Sequence, residues 1–430
     1  MRILNIALGL VLVGNAMAEP RGLSDIYQLA VANDPSLRAQ IAVRGASEAL
    51  GNQIRGAQGL SASASVSVKG TQNLKSDDDY GTGTLSLTLS VPLYDRGLSA
   101  SIDSQDAAVR QADATLAAYR QSHIVSVTRA YFAVLSSEQD LLASMAEVEA
   151  FERQLEQASE RLIVGIGTRV DVDQARARLD LSQVGLIGAK VALDTSRLDL
   201  EKLVNEPILS LSDLGDDFKA DVHRPRDGNW EMLVDSHPDV IAEREAYQSA
   251  LADLDEALAE TTPTLALSSI FSMSDTSGSN TAATNTSARS NAISLTLSAP
   301  IYTNGVASAK GDVAKAGVIK AEADLLRVRR EVLANMQETY RNLEASARTV
   351  EARQLAIVSA ASRVEATEAA YAVGSGDIVE LLNAKKDLFA AERDFAKARH
   401  THVVRQLQFD RAVGDLSESA IARIDQSLTQ

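Results

Sequence analysis

The stretch Ser86-Leu-Thr-Leu-Ser-Val-Pro-Leu-Tyr94 recurs 208 residues later as Ser294-Leu-Thr-Leu-Ser-Ala-Pro-Ile-Tyr302. In both copies leucine or another aliphatic residue alternates with serine or threonine. Two further pairs of landmarks recur in the same order: Asp34-Pro35 with His237-Pro238, and Val164-Gly-Ile-Gly167 with Val373-Gly-Ser-Gly376. Landmarks that repeat in one order indicate an internal duplication, so the chain is predicted to contain two copies of one structural unit.

The alternating stretches predict β-strands with one aliphatic face and one hydroxyl face. An aliphatic face suits lipid and a face of small hydroxyl residues suits a wet lumen, although a half-buried strand of a soluble sheet would alternate in the same way. Pro92 and Pro300 are predicted to mark the transition from strand to helix, since proline ends ladder pairing. The predicted strands cover about 62–69, 84–93, 265–273 and 292–301.

Long helices follow the strands in each copy. Residues 98–164 form a run of 67 without glycine or proline, and residues 318–373 form another of 56. Apolar residues recur within both runs at spacings of three and four, which is typical of coiled coils. After each glycine pair the pattern returns, so each copy is predicted to end in a helical hairpin, over 98–205 and 306–414. A shorter helix opens each copy, near 24–55 and 230–260.

Residues 1–18 have the features of a secretory signal peptide. Arg2 precedes an apolar run from Ile3 to Val13, and Ala16-Met-Ala18 forms a small-x-small cleavage site. The chain contains no cysteine, which excludes a disulfide framework and a cysteine-linked lipid anchor. The net charge of −16 argues against nucleic acid as a partner, because phosphate recognition needs a basic face.

The domain organisation follows from the duplication. A first repeat over 19–221 and a second over 222–430 are predicted, joined by a mostly irregular connector around Glu206–Gly228. The segments Asp77–Asp79 and Ser274–Asn291 are interpreted as extracellular loops. No run of 18 apolar residues follows the signal, so a membrane-spanning form would have to be a β-barrel. Four strands cannot close a barrel alone, and several chains would have to combine theirs.

The whole mature chain resembles the TolC family of outer-membrane factors. The motifs that carry the resemblance are the paired Ser-Leu-Thr-Leu-Ser-x-Pro-x-Tyr strand ends, both Val-Gly turns, the segment Tyr371–Ala384 and the helix end at Gln406–Gly414. The resemblance implies a mainly α fold with a small β part: a homotrimer with a twelve-stranded outer-membrane β-barrel, continued by a long periplasmic α-helical coiled-coil barrel.

The same resemblance implies where functional residues lie. Asp171 and Glu380 correspond to each other in the two repeats and match constriction carboxylates at the periplasmic entrance, with Asn383 one turn beyond. Rings of such carboxylates would bind cations, whereas the simpler alternative is that acidic residues near a helix start complement its dipole. Tyr371 matches an entrance latch whose basic partner is replaced here by Gly376, and Arg169 is the candidate substitute.

The function implied is an outer-membrane exit duct for tripartite efflux or type I secretion. Its partners would be a periplasmic adaptor, which contacts the hairpin tips, an inner-membrane transporter and outer-membrane lipid. The tips are Gly165, Gly167, Gly374 and Gly376. A coiled-coil adaptor or scaffold without a channel is the alternative. No catalytic constellation, metal site or cofactor motif is evident, and His400 and His402 are two residues apart on a predicted helix, which suits a metal poorly.

Overall fold

A computed structural model of the protein describes residues 20–72, 80–215, 217–222, 230–278 and 286–429. The predicted signal peptide, the Asp77–Asp79 loop and part of Ser274–Asn291 lie outside these ranges. In chain order the elements are α1 Leu23–Asn33, α2 Pro35–Gly56, β1 Ser61–Thr71, β2 Tyr80–Tyr94, α3 Arg96–Ile163, α4 Arg169–Val204, α5 Trp230–Ser236, α6 Pro238–Ala259, β3 Thr264–Gly278, β4 Thr286–Ser298, α7 Val306–Ala372, α8 Ile378–Val413 and α9 Glu418–Asp425.

These elements form two compact units, and each unit draws segments from both predicted repeats. One unit contains the chain up to Leu37, Arg120–Trp230 and the chain from Ala334 onward. The other contains Arg38–Tyr119 and Glu231–Leu333. The predicted fold class, mainly helical with four strands per chain, is confirmed. The repeat boundary between residues 221 and 222 stays a prediction.

The four strands form one antiparallel sheet in the order β1-β2-β3-β4. The register puts apolar residues, most of them aliphatic, opposite one another on one face: Val66 pairs with Leu85, Leu87 with Phe271, and Leu267 with Leu295. Much of this face is uncovered, since Val66 is 75% exposed and Ile293 is 74% exposed. Aliphatic side chains on a sheet are normally packed against a second layer of the protein. Because this face is largely exposed instead, it is suited to contact with an apolar medium.

The opposite face of the sheet carries rows of serine. One row, Ser65, Ser86, Ser272 and Ser290, crosses all four strands at directly paired positions. The hydroxyl oxygens of Ser65 and Ser86 are 2.8 Å apart, and those of Ser272 and Ser290 are 2.7 Å apart. Hydroxyl pairs across strands stabilise the chosen register while keeping the face polar. The two faces predicted from alternation therefore lie on opposite sides of one sheet.

The two prolines at the strand ends differ in position. Pro300 lies two residues after the end of β4. Pro92 lies inside β2, which continues to Tyr94, and the pairing with β3 shifts register between Pro92 and Tyr94. A β-bulge accommodates a residue that lacks an N–H group, so the strand passes through Pro92 instead of ending before it.

The helix that opens each repeat is interrupted, which differs from the single helices predicted over 24–55 and 230–260. The break between α1 and α2 falls at Asp34, and the break between α5 and α6 falls at His237. Both residues have extended backbone geometry and precede a proline, which disfavours the helical conformation in the residue before it. The side chains cap the next helix: Asp34 accepts from Ser36 N at 2.8 Å and His237 accepts from Asp239 N at 3.2 Å.

The main core lies in the unit that contains the chain termini. It brings together α1, the middle of α3, the ends of α4 and α8, and α9. Tyr131 of α3 is fully buried and its hydroxyl lies 2.6 Å from the backbone oxygen of Ser212 and 3.2 Å from that of Arg21. The connector after α4 contributes buried Ile208, Leu211 and Leu214 to this core. It is held by short bridges from Arg21 to Leu211 and from Leu214 to Leu428, so it is an integral part of the fold.

His402 is a buried titratable group in this core. It is fully inaccessible, and its Nδ1 lies 2.9 Å from the Ser346 hydroxyl oxygen. Burial lowers the pKa of His402 below its ordinary value of 6.5, and nearby Asp221 acts in the opposite direction. An imidazole with a lowered pKa in the folded state binds fewer protons than in the unfolded state across the interval between the two pKa values.

We therefore predict that His402 contributes stability that is complete above its unfolded pKa and declines as the pH falls below it. The slope is at most about 1.4 kcal/mol per pH unit for one such group. His402→Gln should lower the denaturation midpoint at neutral pH but show a shallower decline on acidification. Denaturant titrations of both proteins at about pH 7 and about pH 5 measure this. Parallel pH profiles for the two proteins would contradict it.

Candidate functional site

The two turns between the paired helices have the same backbone geometry. Gly165 has φ +82° and Gly374 has φ +78°, in the left-handed region that favours glycine. In each turn the N–H of this glycine donates to the carbonyl three residues earlier, at 3.1 Å from the oxygen of Leu162 or Tyr371. The next two N–H groups both donate to one carbonyl, that of Arg161 or Ala370. The turn is therefore duplicated hydrogen bond for hydrogen bond.

The second glycine of each turn is required for a different reason. A Cβ on Gly376 would lie 2.9 Å from the backbone nitrogen of Tyr371, and a Cβ on Gly167 would lie 3.0 Å from that of Leu162. Backbone atoms cannot move aside as the end of a side chain can. The Gly-x-Gly pairs are thus explained by the folding of the turn, and their contact with an adaptor stays a prediction.

The helices after the turns begin with different caps. Thr168 and Asp171 form a reciprocal capping box, in which Asp171 N donates to the Thr168 hydroxyl at 3.1 Å and Thr168 N donates to the Asp171 carboxylate at 3.0 Å. At the start of α8 Asp377 accepts from Val379 N at 3.1 Å. The helix-start role is therefore observed for Asp171. Glu380 is exposed and has no hydrogen-bond or ion-pair partner in the part of the chain that the structure describes.

Tyr371, at the end of α7, is held by a residue of α3 that the sequence did not indicate. The guanidinium carbon of Arg161 lies 4.5 Å from the centre of the Tyr371 ring, and Arg161 Nη1 donates to the Tyr371 backbone oxygen at 3.2 Å. Burial raises the pKa of Tyr371, while Arg161 lowers it and Asp171 raises it further. Tyr371, Arg161 and Asp171 are thus neighbours at this end of the helical hairpins.

Arg169, the predicted substitute for the basic latch residue, has another partner. Its Nε lies 3.9 Å from the Asp173 carboxylate one turn along α4, and its side chain is 86% exposed. Within one chain the base beside Tyr371 is therefore Arg161, and pairing between Arg169 and Tyr371 is not observed among the described residues. The cause is position: Arg169 is the first residue of α4, whereas Arg161 lies in the last turn of α3.

Asn383 also has a partner that the sequence did not indicate. Arg178 of α4 donates from Nη2 to the Asn383 amide oxygen at 3.1 Å, which links the first repeat to the second. Below the turns a small apolar cluster packs the hairpins together. It contains Phe151, Ala158, Ala175, Tyr371, Ile378, Leu381 and Leu382.

The histidines of α8 are bound to different groups. His400 Nε2 lies 2.7 Å from the Asp213 carboxylate and its Nδ1 lies 2.9 Å from the Ser136 hydroxyl. Ser136 sits in the middle of α3, where backbone N–H groups are bonded within the helix and do not offer an oxyanion hole.

Among the described residues no group of three or more His, Cys, Asp or Glu side chains is arranged to hold a metal ion. None of the helices in the described ranges has both the length and the apolar character to cross a membrane.

Comparison with known proteins gives consistent matches. The sequence matches the family described as Outer membrane efflux protein over residues 26–206 and 231–415. It is 28% identical to Outer membrane protein TolC of Escherichia coli K12, covering 100% of this chain and 90% of that protein. It is 26% identical to Alkaline protease secretion protein AprF of Pseudomonas aeruginosa, covering 93% and 85%. The crystal structure of CusC superposes with a TM-score of 0.82 at 16% identity, covering 92% of each chain.

The turn geometry predicts opposite effects for two glycine-to-alanine changes. Gly376→Ala should destabilise the protein by about 1–3 kcal/mol, because the new Cβ overlaps backbone atoms that cannot relax. Gly185→Ala, inside α4 with nothing within 4 Å of the new Cβ, should stabilise it by about 0.5–1 kcal/mol. Chemical denaturation of the two variants beside the native protein measures both signs, and equal shifts would contradict the account of the turn.

Proposed function

Because this chain belongs to the Outer membrane efflux protein family, we propose that it is one protomer of an outer-membrane exit duct. It is a protein of the bacterial outer membrane. The duct would pass cargo from an inner-membrane transporter and a periplasmic adaptor to the exterior. The relatives include a protein named for protease secretion as well as an outer membrane efflux protein.

The observation that carries the proposal is the sheet of four strands. Its aliphatic face is largely exposed, with Val68 at 84% and Leu297 at 69%, and its other face is lined with serine. Exposed aliphatic side chains at this density would be unfavourable in water and are favourable in lipid. A periplasmic scaffold without a channel would have no use for such a face. The sheet therefore supports the duct over the scaffold.

The assembly we propose is a homotrimer. Among the described residues β1 and β4 have no neighbour on their outer sides, so the sheet must be completed by other copies if it enters lipid. Three copies of four strands would give a closed barrel of twelve. The requirement for more than one copy comes from the free edges, and the number three comes from the family resemblance.

The helical turns would form the periplasmic entrance. Asp171, Glu380 and Asn383 would repeat around the threefold axis and constrict it. The exposed Glu380 is the strongest candidate for a charged ring, because no described residue neutralises it. Crowded carboxylates at a pore attract cations and repel anions, which gives the entrance cation selectivity. The glycine turns beside them would be the surfaces that meet the adaptor.

We predict that Glu380→Gln lowers the cation selectivity of the channel and weakens its block by divalent cations. Asp171→Asn should act in the same direction and also weaken the start of α4, because it alters the capping box. Glu392→Gln is the matched control, since it removes an exposed charge from the same helix farther along the chain. The measurement is the reversal potential of single channels in a planar bilayer under a potassium chloride gradient.

Unchanged reversal potential in both Glu380→Gln and Asp171→Asn channels would overturn the constriction proposal. Failure of the purified native protein to form channels would overturn the duct itself. A shift of equal size in Glu392→Gln would show that the general charge of α8, and not the helix start, sets selectivity.

A further inference from the structure

Arg178 lies near the start of α4, where this helix contacts α8, and places a positive charge beside the proposed constriction. Its Nη2 donates to the Asn383 amide oxygen at 3.1 Å, and both residues are partly buried. Asn383 is three residues after Glu380 on α8, so the two share one side of that helix. Arg178 is seven residues after Asp171 on α4, which again places the pair on one side. The guanidinium therefore belongs to the same end of the hairpins as the acidic residues.

Among the residues that the structure describes, Arg178 has no acidic partner. A guanidinium offers five N–H donors and stays protonated at any physiological pH. Its bond to Asn383 uses one donor and meets a neutral amide, and no ion pair to Arg178 occurs among the described residues. The carboxylate of Asp171 is already bonded to the backbone of Thr168. Four donors of Arg178 thus remain for a ligand or solvent.

The duplication shows that this charge is specific to the first repeat. The position equivalent to Arg178, 209 residues later, is Asp387 in α8. Asp387 is neutralised by Arg363 of α7, with 2.6 Å between the nearest nitrogen and oxygen atoms. The two repeats therefore carry opposite charges at the same place in the fold, and only the negative one is paired.

We propose that Arg178 is a specificity-determining residue of the entrance. Its positive charge beside the acidic residues makes the entrance a site of mixed charge, which accepts carboxylate or phosphate groups on the cargo. The inference rests on the proposed duct and on the place of Glu380 and Asn383 at its entrance. A planar guanidinium binds both oxygens of a carboxylate or phosphate at once, so it recognises these groups better than a halide ion. Glu380 would then favour cations at the entrance, and Arg178 would reduce the electrostatic repulsion of anionic cargo.

The test is the ion selectivity of the full chain in planar bilayers. Under a potassium chloride gradient, Arg178→Gln should raise the ratio of potassium to chloride permeability by about twofold, since Coulomb's law gives a change in ion occupancy of about that factor for a unit charge at a separation of about 10 Å in water. Arg178→Lys should keep the native ratio because it keeps the charge. Arg176→Gln, an exposed arginine two residues earlier and on another side of α4, should also keep it.

Inorganic phosphate is the probe for oxyanion binding. Added on the side of the helical turns, it should reduce the single-channel chloride current of the native protein more than that of Arg178→Gln. If the native protein forms channels and Arg178→Gln has the same selectivity and the same phosphate response, the inference is overturned. The proposed duct would then still stand. An equal change of the potassium-to-chloride permeability ratio in Arg178→Lys would also overturn it, because loss of the guanidinium shape and not loss of the charge would then be responsible. Absence of channels from the native protein would instead contradict the proposed function.

Discussion

The outer strands of the sheet, β1 and β4, each present a row of backbone N–H and C=O groups that no described strand of the same chain pairs. In water such edges are solvated, but in lipid each unpaired group costs several kcal/mol. The aliphatic face of the same sheet is uncovered, which is unfavourable in water. Lipid provides apolar contact for the exposed face, and further copies of the chain provide hydrogen-bond partners for the strand edges. The oligomer and the membrane location therefore both follow from the structure of this sheet.

Duplication supplies the framework, and divergence between the copies supplies the site. Both turns have the same hydrogen bonds, one glycine with positive φ and a second glycine at which a Cβ would overlap backbone atoms. The side chains around them differ: Arg161 in the first repeat corresponds to Ala370 in the second, and Leu162 corresponds to Tyr371. Arg161 packs on Tyr371, so a residue unique to one copy recognises a residue unique to the other. A symmetric framework thus holds an asymmetric set of functional groups.

Much of the fold was predictable from the sequence because period and glycine placement are local signals. Alternation of leucine with serine predicted strands with two unlike faces, and the runs free of glycine and proline predicted α3 and most of α7. The helix breaks at Asp34 and His237 were missed although the following prolines were visible, because apolar spacing continues across them. The serine rows could not be predicted, since alternation fixes the face of a residue but not its partner on the next strand.

The functional site was less predictable than the fold, because its contacts join residues far apart in sequence. Arg161 lies on Tyr371 across 210 positions, and Arg178 meets Asn383 across 205. Neither pair has a sequence signal stronger than a shared helix face. Arg169 was favoured instead because it occupies a turn, although in the fold it faces Asp173. Hairpin packing decides which side chains meet, and packing is set by the whole core.

The central claim is that the open sheet of this chain is completed by other copies in the outer membrane. The most direct measurement is the native mass of the protein extracted by mild detergent from purified outer membranes, after a high-salt wash that removes peripheral proteins. A complex with the protein mass of three chains, retained through the wash, is the predicted result. A monomer released by salt alone would contradict the claim, because the strand edges and the aliphatic face would then never meet lipid.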